Sequence, residues 1–244
     1  MSKLLTFMGW SLVSLALLTS AKAQTVDDII NKNIDAVGGK EVLAKITSAT
    51  FQGTVTAMGS DYPLTAIMVN GKGYKTTTRM NGMDIINCVT NTGGWMLNPM
   101  MGQTSAQAIP ADQLMAVKAV IYIGGPLVDY QDKGYSAELA GREDVAGQSN
   151  YKVRLFDNAG TDVVYYINPQ TYLVSQTVTK VKVTGKPDVT NTSAFSDYRK
   201  TDIGYTMAYA VATTNMGYDL TITYTAVEFN KDVDPTTFDI PGSN

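Results

Sequence analysis

The chain has 244 residues, of which 19 are basic and 22 acidic, and its formal net charge is −3. Few charges and a mildly acidic balance are not typical of nucleic-acid-binding proteins, which carry basic patches or stripes. The chain has no histidine, which excludes Ser-His-acid triads, the HExxH zinc helix and other histidine-based sites. Its single cysteine, Cys88, cannot form an internal disulfide, and we predict that it is a small buried hydrophobic residue on a strand.

The first 23 residues have the pattern of a secretory signal peptide. Lys3 precedes an apolar run from Leu4 to Leu18, and the small-residue ending Ala21-Lys22-Ala23 predicts cleavage before Gln24. The run is too short to cross about 30 Å of hydrocarbon as a helix. No cysteine follows it, so we do not expect lipid attachment at a new N-terminal cysteine. We predict an exported, soluble, periplasmic protein in which residues 24–244 form one domain.

Thr25 is predicted to begin an amphipathic helix, with Asp28 three residues later as in a capping box. Apolar residues then recur at helical spacing, at Val26, Ile29, Ile30, Ile34 and Val37. Gly38-Gly39 is typical of a helix end, and residues 40–46 predict a further short helix. We expect the apolar stripe of this segment to pack on a sheet.

From Ser48 onwards the hydrophobic period changes to two, which predicts β-strands. Asn70-Gly71 and Asn81-Gly82 lie between alternating runs, and Asn-Gly in that position is a strong hairpin signal. Five strands in up-and-down order are predicted at Ser48–Ala57, Tyr62–Val69, Gly73–Met80, Met83–Thr90 and Trp95–Leu97.

Residues 100–110 show no periodicity and predict a loop. The next segment, Asp112–Ile123, is apolar on nearly every side, with Lys118 its only interior charge. A helix that is apolar all round is a buried one, so we predict a buried helix on the concave side of the sheet. Val120–Ile123 is rich in β-branched residues, and a strand is the alternative there.

The rest of the chain repeats short runs rich in Val, Tyr and Thr, separated by turn residues such as Asn168-Pro169. Further strands are predicted at Tyr135–Leu139, Tyr151–Phe156, Asp162–Ile167, Leu173–Val183, Thr192–Arg199, Tyr205–Thr213 and Tyr218–Phe229. The predicted fold class is mainly β (α+β). It is a single long, curled antiparallel sheet of about eleven strands, a half-barrel, with an N-terminal helix and a buried helix on its concave side.

The acidic residues nominate no catalytic pair. Asp27 and Asp28 are explained by helix capping, and acids such as Glu143 and Asp144 lie in polar connections. A glycosidase needs two acids that face each other across a cleft. We therefore predict a protein that is not an enzyme and uses no cofactor or metal; the alternative is an enzyme with an unrecognised carboxylate site.

The distribution of methionine is the sequence feature that bears on an apolar-ligand site. Eight of the twelve methionines lie between Met58 and Met115. Flexible, polarisable methionine side chains recur on surfaces that adapt to varied apolar ligands, but they also fill ordinary cores. The concave face of a curled sheet must be filled by side chains, a helix or a ligand, so both interpretations stay open here.

Several short motifs resemble those of the LolA/LolB-like periplasmic lipoprotein carriers. Thr90-Asn-Thr-Gly-Gly-Trp95-Met-Leu-Asn98-Pro99 resembles the carriers' tryptophan hairpin. Tyr166-Ile-Asn-Pro-Gln-Thr171 resembles one of their turns, and Phe238-Asp-Ile-Pro241 resembles their closing segment. The opening residues 26–46 resemble the start of related exported Bacteroidetes proteins. The resemblance implies an eleven-stranded half-barrel whose apolar concave side is lidded by helices and holds acyl chains.

This resemblance implies a periplasmic binding protein or carrier for an apolar ligand in outer-membrane lipoprotein sorting or envelope homeostasis. The expected partners are lipoprotein acyl chains or lipid, envelope proteins and, transiently, the membrane surface, with no nucleic acid. The ligand-binding residues that we expect near the cavity are Met80, Trp95, Met100, Met101, Leu114 and Met115.

One position departs from the carriers' pattern. They have an arginine just before the third strand that holds the lid shut, whereas Lys72-Gly73 stands here. Lysine lacks the planar fork of arginine, so we expect an apolar-ligand binder of this kind rather than a dedicated lipoprotein shuttle. The alternative is a non-enzymatic envelope interaction or stress-sensing module with a filled interior.

Overall fold

The computed structural model describes residues 24–158, 160–181, 189–215 and 218–242. The predicted signal peptide lies outside these ranges, as do residues 182–183 at the end of one predicted strand. The helices are α1 (Val26–Ala36), α2 (Lys40–Ala44) and α3 (Ala111–Val117), with 3-10 helices at Pro99–Met101, Lys118–Ile121 and Pro235–Phe238. The strands are β1 (Ser48–Ala57), β2 (Ser60–Val69), β3 (Gly73–Met80), β4 (Met83–Thr90), β5 (Gly94–Leu97), β6 (Gln107–Ala108), β7 (Ser136–Val145), β8 (Gln148–Phe156), β9 (Asp162–Ile167), β10 (Val174–Val181), β11 (Val189–Lys200), β12 (Thr206–Asn215) and β13 (Tyr218–Phe229).

The thirteen strands form one antiparallel sheet in the order β6-β5-β4-β3-β2-β1-β13-β12-β11-β10-β9-β8-β7. Most neighbours in the sheet are also neighbours in the sequence, because short turns join consecutive antiparallel strands. The non-local pair is β1 with β13, which joins the first six strands to the last seven. Within the described residues β6 and β7 are the two edges, so the sheet is open.

The N-terminal helix α1 begins at the predicted capping box. Thr25 Oγ1 accepts from the Asp28 N–H at 3.1 Å, and an Asp28 carboxylate oxygen accepts from the Thr25 N–H at 2.9 Å. The three isoleucines of its apolar stripe are each at most 3% exposed. Asn33, the polar residue of the stripe, donates from Nδ2 to the Tyr172 carbonyl at 2.7 Å, which compensates its burial.

The sheet curls around α1 on the side that we call the concave face. One core joins the α1 isoleucines to Phe51 of β1, Met68 of β2, Val153 of β8 and Tyr165 of β9. β2 and β8 are seven positions apart in the sheet order. At about 4.8 Å per strand a flat sheet would place them roughly 34 Å apart, which is wider than a helix. Since both contribute to the same core, the sheet curls around α1. The prediction of a mainly β fold with a single antiparallel sheet is confirmed.

The strand count and the middle helix differ from the prediction. β6 lies inside the predicted loop and pairs with β5 through only two residues, too few for a sequence signal. β7 continues to Val145 beyond the predicted end at Leu139, because a bulge at Gly141, whose φ is +98°, interrupts the alternation.

The predicted buried helix over 112–123 is shorter and less enclosed than expected. α3 ends at Val117, a 3-10 helix continues to Ile121, and Tyr122 is extended. β-branched residues fill the last turn, where helix propensity is weakest. Val120 is 40% exposed, whereas Ile121 is fully buried and Ile123 belongs to the core, so only the last residues of the segment are enclosed.

Candidate functional site

One end of the concave face is covered less completely than the rest. On β12, Met207 and Tyr209 are 8% and 9% exposed within the core, whereas Val211, two residues further along the same face, is half-buried. Strand pairing places Val211 opposite Ile222 of β13, and Ile222 opposite Val55 of β1. Directly opposed residues in antiparallel strands point to the same face, so these three aliphatic side chains lie side by side.

We call the half-buried aliphatic residues at this end of the concave face the apolar patch. Its members are Val55, Ile85, Val211, Leu220 and Ile222. They come from β1, β4, β12 and β13, and the non-local β1–β13 pairing places Val55 beside Ile222. Ile85 lies on β4, three strands from β1 in the sheet order.

Residues 109–123, which we call the lid segment, cross the mouth of the concave face. At its start the Ile109 N–H donates to the Gly94 carbonyl at 2.9 Å, and a Cβ at Gly94 would lie 2.9 Å from Leu114 Cδ1. The helix of this segment, α3, also lies against β10. β5, which contains Gly94, and β10 are eight positions apart in the sheet order, so α3 spans the curled sheet between them.

The other end of the lid segment is held by the turn between β2 and β3. Asn70 Oδ1 accepts from the Ile123 N–H at 3.0 Å, and the Gly71 N–H donates to the Ile121 carbonyl at 2.8 Å. Asn70 Nδ2 donates to the Ile46 carbonyl at 3.2 Å. The predicted Asn-Gly turn is therefore also an anchor for the lid segment, a role that the turn pattern alone does not indicate.

Replacing Asn70 with alanine should lower the free energy of unfolding by about 1–3 kcal/mol. The change removes the side-chain partners of the Ile123 N–H and the Ile46 carbonyl, and these residues are only 6% and 1% exposed. Asn31→Ala is the control, because Asn31 is exposed on α1 and its loss should cost no more than about 0.5 kcal/mol. Urea unfolding followed by circular dichroism measures both; equal stabilities would contradict the anchoring role.

The structure describes the side chains of five of the six predicted ligand residues and does not bring those five to one place. Met80 ends β3 on the concave face, and Leu114 lies on α3 above Gly94. Met100 and Met101 form a surface 3-10 turn and are 49% and 75% exposed. The side chain of Met115 is outside the described part of the structure.

Trp95 lies on the outer face of the sheet, opposite the concave face. It is paired with Cys88, so both side chains lie on the same face of the sheet. The C-terminal segment covers this face, and the Cys88 thiol contacts the Phe238 carbonyl. Trp95 Nε1 donates to the Phe238 carbonyl at 2.8 Å, and Lys75 Nζ donates to the Thr237 carbonyl at 3.0 Å. At 3% exposure, Trp95 anchors the C-terminal segment rather than facing the apolar patch.

Cys88 is fully buried on β4, which confirms the prediction of a small buried hydrophobic residue. Burial raises the pKa of its thiol to about 11. At neutral pH the thiolate, which is the reactive form, is therefore a negligible fraction.

A separate polar cavity of about 370 Å³ lies between α1, the start of α2 and the loop at residues 127–132. Its polar lining residues are Asp27, Asn31, Lys40, Asp129, Tyr130, Gln131 and Asp132. Lys40 Nζ donates to an Asp129 carboxylate oxygen at 2.6 Å, and the Tyr130 hydroxyl donates to Asp27 at 2.8 Å. A charged hollow of this kind is where a carboxylate enzyme site would be sought.

Lys40 and Tyr130, two groups of the polar cavity, have pKa values shifted away from those that suit proton transfer near neutral pH. The hydrogen bond to Asp129 raises the pKa of Lys40, so its ammonium group keeps its proton. Burial, and then the bond to Asp27, raise the pKa of Tyr130. General acids and bases work best with pKa values near the operating pH, and both of these shifts lead away from it.

Two further observations concern only the residues with a described position. No group of three or more His, Cys, Asp or Glu side chains among them is placed to hold a metal ion. None of the helices in those ranges has both the length and the apolar character required to cross a bilayer.

Comparison with solved structures identifies relatives in fold. A LolA superfamily protein from Nitrosomonas europaea matches with a TM-score of 0.57 and 11% identity, over 88% of this chain and 98% of that one. A putative outer membrane lipoprotein-sorting protein domain from Vibrio parahaemolyticus matches with a TM-score of 0.54 and 15% identity, over 86% and 95%. A DUF1329 family protein from Desulfovibrio piger matches with a TM-score of 0.52 and 12% identity, over 88% and 98%.

Comparison of sequences finds no relative: no protein-family profile and no curated protein sequence matches the chain. At identities of 11–15% the structural likeness establishes the fold alone. The chain has a LolA-like fold, as the resemblance of its motifs predicted.

Proposed function

We propose that this protein binds an acyl chain or a lipid on its concave face, between the apolar patch and the lid segment. The apolar patch carries the proposal, because its aliphatic side chains stay half-buried while the core beside them is closed. Burying one methylene group contributes about 0.8 kcal/mol. An alkyl chain laid along the patch would therefore gain affinity with each added methylene.

The likeness to lipoprotein-sorting proteins supports the choice of ligand. The Vibrio parahaemolyticus relative is described as a putative outer membrane lipoprotein-sorting domain. By analogy of fold, we propose lipoprotein acyl chains or lipid as the ligand of this chain. The signal-peptide pattern of residues 1–23 supports the periplasm as the place of action. The proposed role is binding or carriage of this ligand in lipoprotein sorting or envelope homeostasis.

The lid of this protein is held differently from the arginine lock that the resemblance implies. Lys72 is exposed, and Gly73 is buried beneath the Phe238 ring on the outer face. Hydrogen bonds at Gly94, Asn70 and Gly71 hold the two ends of the lid segment instead. We propose that the ligand enters by displacing α3 while both ends of the segment stay attached.

The test is uptake of an apolar fluorophore and of acyl chains by the protein purified from a periplasmic extract. Ile222→Glu places a charge in the apolar patch and should weaken acyl-chain binding by at least about tenfold, or 1.4 kcal/mol. Thr223→Glu is the matched control. Thr223 is the next residue on the same strand, is also half-buried, and points to the outer face opposite Thr54. Its affinity should equal that of the wild type.

Native mass spectrometry of the same preparation should detect bound lipid that organic solvent extracts. Protein free of lipid that takes up no fluorophore would overturn the proposed function and would favour an interaction module with a filled interior. Equal binding by both glutamate variants would move the ligand away from the apolar patch. Circular dichroism of each variant confirms that it is folded.

A further inference from the structure

A row of uncharged polar side chains continues the concave face beyond the apolar patch. Thr177 of β10 pairs with Ser193 of β11, and Ser193 pairs with Thr213 of β12. The next pair on the same face is Thr179 with Asn191. Thr177 and Thr179 in turn lie opposite Tyr165 and Val163 of β9, which belong to the core. The row therefore lies on the concave face. We call Thr177, Thr179, Asn191, Ser193 and Thr213 the polar row.

The polar row adjoins the apolar patch, and the strand that supplies two of its residues lies against the helix of the lid segment. Thr213 lies opposite Leu220, a member of the apolar patch. β10, which supplies Thr177 and Thr179, lies against α3. A ligand that lies along the apolar patch beneath α3 would thus place one end at the polar row.

One atom of the polar row lacks a hydrogen bond. Asn191 Oδ1 is shielded from solvent and has no partner, the one such side-chain atom among the described residues. By contrast, Ser193 Oγ donates to Thr213 Oγ1 at 3.1 Å. A buried acceptor without a donor destabilises a protein, so such a group in a folded chain calls for an explanation, and one explanation is a bound partner that supplies the donor.

We propose that Asn191 Oδ1 accepts a hydrogen bond from the polar end of the bound acyl ligand. This inference rests on the proposed function, because it assigns the ligand's polar end to the same concave face. It defines the ligand class as acyl chains whose head is a neutral hydrogen-bond donor, either an amide N–H or a hydroxyl. The hydroxyls of the polar row accept or donate as needed, and none of its five residues carries a charge that would favour a carboxylate head.

The experiment uses the full-length mature protein and four probes with the same twelve-carbon chain: dodecanamide, dodecanol, methyl dodecanoate and dodecanoate. Each displaces a bound apolar fluorophore. Dodecanamide and dodecanol donate hydrogen bonds, whereas the methyl ester only accepts them. A single hydrogen bond to the protein corresponds to an affinity difference of up to about tenfold. The wild type should bind the two donors roughly 5–10-fold more tightly than the methyl ester, and dodecanoate most weakly.

Asn191→Leu tests the assigned atom. It should abolish the preference for dodecanamide over the methyl ester while retaining affinity for the ester. Thr192→Val is the control, because Thr192 is the adjacent residue on the outer face, opposite Val178 and Thr214, and should keep the preference. The ligand-free Asn191→Leu protein should melt at the same temperature as the wild type or higher, since it no longer buries an unpaired acceptor.

The outcomes separate this inference from the proposed function. If none of the four probes displaces the fluorophore and none binds directly, both are overturned. If the wild type binds the donors and the methyl ester equally, the proposed function stands and the polar-row assignment fails. If Asn191→Leu keeps the preference, Asn191 is not the acceptor, and the inference is overturned.

Discussion

Replacing Trp95 with alanine should lower the free energy of unfolding by about 3–5 kcal/mol, the range for truncating a buried tryptophan or phenylalanine. Trp95 is 3% exposed, and its indole N–H donates to the Phe238 carbonyl at 2.8 Å. The substitution removes the apolar contact and the hydrogen bond together. It should also release the C-terminal segment, whose Phe238 ring lies against Gly73 on the outer face.

Trp95→Phe separates the two contributions. Phenylalanine keeps most of the ring volume but cannot donate to the Phe238 carbonyl, so the expected cost falls to about 1–2 kcal/mol. Urea unfolding followed by circular dichroism measures both variants. The dodecanamide affinity of Trp95→Phe should equal that of the wild type. A variant with unchanged stability and weakened ligand binding would return Trp95 to the ligand site.

The face to which Trp95 points could not be predicted from its motif. Successive residues on a strand point to opposite faces, so a shift of one residue in the pairing reverses every assignment. The turn between β4 and β5 sets Cys88 opposite Trp95, and this register decides the face. The partner of the indole, Phe238, lies 143 residues away, and no local pattern links the two positions.

The hairpins of the first half follow directly from the sequence, because their signals are local. β3 and β4, joined by Asn81-Gly82, begin and end at the predicted residues.

The structure of the lid segment is harder to predict from its sequence. Its apolar composition suits a helix, but Val120 and Ile121 favour a tighter or extended backbone, and α3 ends at Val117.

The sequence predicts the residues of the candidate site only in part. The alternation that predicted β12 and β13 already separates Val211 and Ile222 from their threonine and alanine neighbours. It does not reveal that Val211, Ile222 and Val55 become neighbours, because the pairing of β1 with β13 is non-local. Nothing in the sequence pattern indicates that Asn191 buries an unpaired acceptor, since a polar residue on a strand is ordinarily exposed.

That non-local pairing depends on a glycine. Gly53 lies at a bulge where β1 pairs with β13, opposite Tyr224. A Cβ at this position would lie 2.2 Å from the Thr223 carbonyl oxygen and 3.0 Å from the Tyr224 Cα. Both obstacles belong to the backbone of the partner strand, so no side-chain rotation can remove the clash. Relief requires the two strands to separate or to change register.

Gly53→Ala should therefore lower the free energy of unfolding by about 3 kcal/mol or more, at the upper end of the range for overpacking. Gly93→Ala is the matched control, since a Cβ at Gly93 meets nothing within 4 Å, and it should change stability by no more than about 0.5 kcal/mol. Urea unfolding of the two variants measures the difference. Because β1 and β13 also supply Val55 and Ile222 to the apolar patch, the Gly53 variant should lose acyl-chain affinity together with stability. A Gly53 variant as stable as the Gly93 control would mean that the bulge absorbs the added methyl group by shifting the register of β1.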